Sequence, residues 1–281
     1  MFYDLVYFVS KSKLPEYLLQ LLPYEVNPHT ERVLREQFQV FAPDPFSYVK
    51  NTPIRDIVTD FPKFLERIQK ESLDDEERPE NMAKFYLCRN PEEGILVLAM
   101  STVAQRAFQL TFSGEYLMLF VGIKLDKSQD FIPRDHQMVL FLREVTQILQ
   151  PLYGYIEGEW VPNPRYILED YPELGAAPAE GCPWWIPCNT KIVGESLAHA
   201  LKRQVNLDYL CQNVPGFERW GENLYFFSSI ATVDDWYTHR LGWWHEVYAG
   251  TELGEKYSKA KRNLEEALQN ISVSELLNQS G

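Results

Sequence analysis

The sequence predicts an α+β protein in which a central, largely antiparallel sheet is flanked by helices. Three observations carry that prediction. Four strand-like runs lie between Ala83 and Ile123, joined by links too short for anything but antiparallel neighbours. Two of those runs, ILVLAM and LMLFVGI, are apolar on both faces, as strands covered by helices on at least one side are. Helical periodicities stand before and after the strands without strict βαβ alternation, which separates the class from a doubly wound fold.

In chain order, Phe2–Val9 is aromatic and β-branched enough to open the chain as a strand. Ser12 is placed to cap a helix over Lys13–Leu22, with Pro15 tolerated in its first turn. A weaker helical pattern covers Thr30–Phe41, and the proline-rich FAPDPF after it reads as a turn. Asp60 is placed to cap Phe61–Glu71, where Phe61, Phe64, Leu65 and Ile68 recur at helical spacing. The acidic run SLDDEERPE reads as a solvated loop. The strand runs Ala83–Arg89, Ile95–Thr102, Gln105–Phe112 and Tyr116–Ile123 then form a meander.

Asp135 is expected to cap a helix over His136–Gln150 whose buried stripe is Met138, Phe141, Leu142, Val145, Ile148 and Leu149, extended by Leu152. Pro151 ends it, lacking a donor and clashing with the preceding turn. Tyr153–Glu159 follows as a strand with Tyr153, Tyr155 and Glu157 on one face and Gly154, Ile156 and Gly158 on the other. Residues 161–188 carry clustered prolines and read as a long ordered loop. A helix is expected over Lys191–Val205, a strand pair over Tyr209–Val214 and Asn223–Ile230 around the Pro215-Gly216 turn, and an aromatic helix from an Asp234 or Asp235 cap to Tyr248. Glu252–Asn270 is an amphipathic helix. The whole is read as one domain, divisible into a strand-rich half, 1–133, and an aromatic-rich half, 134–281.

Composition bounds the function. The 281 residues are 45% hydrophobic, 14% aromatic and 24% charged, the profile of a chain that folds on its own. With 27 Lys+Arg against 40 Asp+Glu, the formal charge is -13. Such a surface repels phosphate backbones and anionic lipid, so neither nucleic acid nor membrane is an expected partner, whereas a basic protein is. The opening MFYDLVYFVSKSK does not read as a secretory signal, and no apolar run reaches a membrane-spanning length, so a cytoplasmic location is expected. The cysteines, Cys88, Cys182, Cys188 and Cys211, are irregularly spaced, and reduced thiols are expected.

No motif names a reaction. The spacing of Cys182 and Cys188 suits neither a structural zinc site nor a dithiol redox centre, so no metal and no cofactor is expected. His239 and His245 are too far apart to share a helix face as paired metal ligands do. Glu157 and Glu159 share a strand face and suit either a pair of hydrolytic carboxylates or the solvated edge of a binding surface. Phosphate-binding, dinucleotide and nucleophile-elbow motifs are absent.

The seven tryptophans all lie between Trp160 and Trp244. Core packing, a sugar-stacking platform and interface anchoring stay open as readings of them, with Trp160, Trp184 and Trp185 the ones expected at the surface. Between Tyr155 and Glu180 the acids Glu157, Glu159, Glu169, Asp170, Glu173 and Glu180 face Arg165 alone. An acidic loop studded with aromatics suits a basic protein, because charge steers the encounter and buried aromatics hold the complex. A merely soluble acidic loop is the plainer alternative. The expected partner-binding residues are Glu157, Glu159, Trp160, Glu169, Asp170, Glu173, Trp184 and Trp185.

The helix into Pro151-Leu-Tyr-Gly-Tyr155, the tryptophan-rich loop with Trp184-Trp185 and Asn189, Gly194, the Pro215-Gly216 turn and the aromatic strand after it resemble the layout of bacterial immunity proteins of polymorphic-toxin systems. The resemblance spans roughly residues 134–230. It implies tight, non-catalytic binding of a toxin or effector protein in the bacterial cytosol, and it fixes no contact residue. An enzyme acting on a small or sugar-like substrate in a cleft near loop 160–188, and an assembly factor, are the alternatives.

Overall fold

The structure is a computed structural model and describes residues 2–27, 51–69, 83–100, 116–124, 132–133, 136–151, 153–157, 191–194, 206–222, 224–227, 235–236, 249–272 and 275. The strands among them are β1 (Phe2–Ser10), β2 (Ala83–Leu87), β3 (Ile95–Met100), β4 (Tyr116–Lys124), β5 (Ile132–Pro133), β6 (Tyr153–Glu157), β7 (Lys191–Gly194), β8 (Phe217–Gly221), β9 (Leu224–Phe227) and β10 (Asp235–Trp236). An 8-stranded sheet runs β2-β3-β4-β1-β6-β7-β9-β8, and β5 pairs with β10 in a separate two-stranded sheet. Every paired neighbour is antiparallel. The α+β class with a largely antiparallel sheet is therefore the one this chain adopts.

One face of the sheet carries the helices α1 (Leu14–Leu21), α2 (Ile54–Thr59), α3 (Phe61–Gln69) and α4 (Gln137–Leu149). Their apolar stripes meet Tyr7 and Val9 of β1, Phe85 and Leu87 of β2, Leu96, Leu98 and Met100 of β3, and Leu117, Leu119 and Val121 of β4 in a single buried cluster. The opposite face is closed over β2 and β3 as well, where Tyr86, Ile95 and Val97 pack with Val26. This two-sided burial is what the doubly apolar ILVLAM run requires.

In α4, Met138, Phe141, Leu142, Val145 and Leu149 are buried as their spacing demands, joined by Val139 and Thr146. The cap differs from expectation. His136 is the N-cap, its Nδ1 accepting from the Met138 amide at 3.1 Å, which puts the cap one residue beyond Asp135. The far end closes on Gln150 with φ 43, a left-handed residue immediately before Pro151. Tyr7 and Thr146 lock this helix to the centre of the sheet through a fully buried 2.7 Å hydrogen bond.

The outer edge of β2 is closed by two short chain segments. The Val26 amide donates to Tyr86 O at 2.9 Å, the Cys88 amide to Tyr24 O at 2.8 Å, and the Thr52 amide to Lys84 O at 2.7 Å. Glu25 ties the two segments together, its carboxylate accepting from the Ile54 amide at the head of α2 at 2.6 Å.

Several sequence expectations are corrected. Lys191–Gly194 is not the start of a helix but a strand between β6 and β9, since Ile192 and Val193 suit a pleat as well as a helix face. Tyr209–Val214 is not a strand: Leu207–Asn213 forms helix α5, capped by the Asn206 side chain accepting from the Tyr209 amide at 2.9 Å. The hairpin there is β8–β9, and Gly216, with φ 84, makes the turn from α5 into it. Asp235 does not cap a helix but pairs, with Trp236, against β5. Ser12 does not cap α1; its hydroxyl bonds that of Ser10 at 3.0 Å, and Lys13 is the N-cap without a side-chain bond. β3 and β4 are direct neighbours, so the predicted four-strand meander does not hold, and its run 105–112 lies outside the described residues. Helix α2 was not anticipated because six residues show too little of a period. Glu252–Gln269 is helical, as expected, and is α6.

Candidate functional site

Register sorts the charged residues of the sheet by face. Partners directly opposite share a face, and Tyr7, Leu119 and Phe226 belong to the helix-covered side. By alternation Asp4, Lys84, Lys124, Glu157, Lys191 and Arg219 all fall on the other side. One row across that side reads Lys84, Ala99, Phe120, Val6, Tyr155, Lys191, Phe227, Phe217, and the next reads Tyr86, Val97, Gly122, Asp4, Glu157.

Glu157 is thus the last residue of β6 and stands opposite Asp4 of β1. Directly opposed like charges on neighbouring strands repel, at a cost on the order of 0.2–1 kcal/mol. Lys124, on β4 opposite Phe2, and Lys191, on β7 opposite Tyr155, occupy the flanking diagonal register positions. Of the expected partner-binding residues, Glu157 alone is placed. Glu159, Trp160, Glu169, Asp170, Glu173, Trp184 and Trp185 lie outside the described residues, as do Cys182, Cys188, His239 and His245. The pairing of Asp4 with Glu157 is a long-range register that no local sequence pattern contains.

A second polar group sits on α5 and the β8–β9 hairpin. The Tyr225 hydroxyl donates to Asp208 Oδ1 at 3.3 Å, Arg219 reaches the same oxygen at 3.4 Å, and the guanidinium lies 5.8 Å from the centre of the Tyr225 ring. Burial, followed by the charge of Asp208, raises the Tyr225 hydroxyl above its ordinary range. A third group links Tyr24, whose hydroxyl donates to Glu144 at 2.5 Å, with Arg89, 3.4 Å from the same carboxylate. These groups satisfy one another and present no free nucleophile. Among the described residues no cluster of three or more His, Cys, Asp or Glu side chains could hold a metal ion.

The thiols follow their surroundings. Burial, with a smaller push from Glu93 beside Cys88 and Asp208 beside Cys211, raises each from 9.0 to about 11. Both are free cysteines. The folded state therefore holds protons that the unfolded chain releases, and the stability linked to them is complete below pH 9 and is lost as pH rises from 9 towards about 11. Urea titrations across that window should show a falling midpoint, and Cys88→Ser/Cys211→Ser should flatten the fall.

No protein-family model matches the chain. No curated protein matches it either. Among solved structures it is similar to the Pseudomonas aeruginosa T6SS protein PA0821, with 11% sequence identity and a TM-score of 0.37 over 100% of this chain and 77% of that one. What the fold defines is a mixed α+β protein with a largely antiparallel sheet covered by helices on one face. Among the described residues no helix is long and apolar enough to cross a membrane.

Proposed function

We propose that the chain is a non-enzymatic binder of a basic protein, acting in the manner of an immunity protein on a toxin or effector. The observation that supports it most is the charge: -13 overall, with six acids against Arg165 alone between Tyr155 and Glu180. A field of that sign attracts a basic partner from a distance, and Trp160, Trp184 and Trp185 supply the rigid anchors that hold one. β6 delivers the chain to this segment, with Glu157 as its last residue.

Affinity capture from the native host followed by mass spectrometry tests the reading. A basic protein recovered in stoichiometric amount is the expected result, and recovery of none at either low or physiological salt removes the proposal. Reversing Glu169, Asp170 and Glu173 to lysine should slow association by about tenfold or more and leave the melting temperature nearly unchanged. An unchanged association rate takes this segment out of the interface.

The opposition of Asp4 and Glu157 favours a second reading, hydrolysis of a sugar-like substrate by paired carboxylates. Turnover of a glycoside panel that is abolished by Glu157→Gln would establish it.

A further inference from the structure

β8 ends the eight-stranded sheet, with β9 as its single neighbour among the described strands. The terminal strand of a sheet is a template on which another strand can pair, and a second copy of the same chain is the partner always present. Here the carbonyls of four consecutive residues are already occupied by side chains. Arg143 of α4 donates from its NH2 group to Arg219 O at 3.1 Å and from Nε to Trp220 O at 3.4 Å. Gln147, one turn further along α4, donates to Trp220 O as well. Arg219 folds back over its own hairpin, donating from Nε to Gly221 O at 3.0 Å and from NH2 to Glu222 O at 2.6 Å.

Two further features act in the same direction. The register shifts between Arg219 and Gly221, a bulge that bends the strand. Trp220 is buried and stacks on Phe226 at 4.0 Å between ring centres, so the bent segment is held against the core rather than free to straighten.

We propose that Arg143 and Gln147 are an edge guard: by holding the carbonyls of Arg219 and Trp220, they keep β8 from pairing antiparallel with β8 of a second copy. This inference does not depend on the proposed partner. In it α4 has two separate roles, closing the core with its apolar stripe and closing the sheet edge with its polar one.

The test is the oligomeric state of Arg143→Met/Gln147→Met, which keeps the aliphatic stems and removes the donors. Analytical ultracentrifugation across the micromolar range should show the wild type as a monomer and the double variant moving towards a dimer as concentration rises. Hydrogen exchange should then show protection gained within Phe217–Gly221. A folded double variant that stays monomeric overturns the proposal, as does a wild type already paired through β8 or a variant dimer with no protection gained there. If the double variant does not fold, Arg143→Met alone decides by the same measurement: a dimer supports the guard, a monomer throughout overturns it.

Discussion

Truncating Phe141 to alanine should lower folding stability by about 3–5 kcal/mol, the range for deleting a fully buried aromatic ring. Phe141 is 1% exposed and belongs to the cluster that joins α4 to the sheet. It also meets Tyr24 edge to face, with ring centres 5.2 Å apart. Tyr24 is fixed in turn by Glu144, and its carbonyl accepts from Cys88 at the edge of β2. The cavity would therefore loosen the helix and the segment that closes that edge together. A urea midpoint lowered with the slope unchanged is the expected signature. A loss below about 1 kcal/mol would mean that α4 does not pack as described.

The second prediction is an asymmetry between two small changes. Thr146 donates its single proton to Leu142 O at 2.6 Å, so in the 2.7 Å contact with Tyr7 the tyrosine is the donor. Thr146→Val leaves that donor buried with no acceptor, a loss of about 1–3 kcal/mol. Tyr7→Phe removes the donor and leaves Thr146 its bond to Leu142, a loss nearer 0.5–1.5 kcal/mol. The double variant should lose less than the sum of the two. Thermal or urea unfolding of the three variants decides, and a costlier Tyr7→Phe would reverse the donor assignment. Burial also drives the Tyr7 hydroxyl far above its ordinary 10.0. Stability tied to it is complete below pH 10 and declines above it, and Tyr7→Phe should remove that part of the alkaline loss.

The elements legible in the sequence were those with a long, unambiguous period. α4 and α6 show several turns of apolar spacing, and β1, β3 and β4 are runs that no helix stripe matches. Short elements were misread for a stated reason. β7 has four residues, and its Ile192-Val193 pair fits a pleat and a helix equally. α5 carried a signal that could have found it, since Asn206 followed by Asp208 in the first turn and Pro215 just beyond the end is a helix with its cap and its stop. The site was less legible than the fold. The acidic bias near Glu157 is local and visible, whereas the register that sets Asp4 opposite it depends on which strands become neighbours.

The position of β1 has a consequence for how the protein is made. It lies in the interior of the sheet, between β4 and β6, with Val6 paired to Phe120 on one side and to Tyr155 on the other. During synthesis this apolar strand exists long before either neighbour does, and closing loops of that length is slow. The nascent chain must therefore carry an unpaired, aggregation-prone strand until β4 emerges and a half-paired one until β6 does, which makes β1 the segment where a holding chaperone would shield the chain.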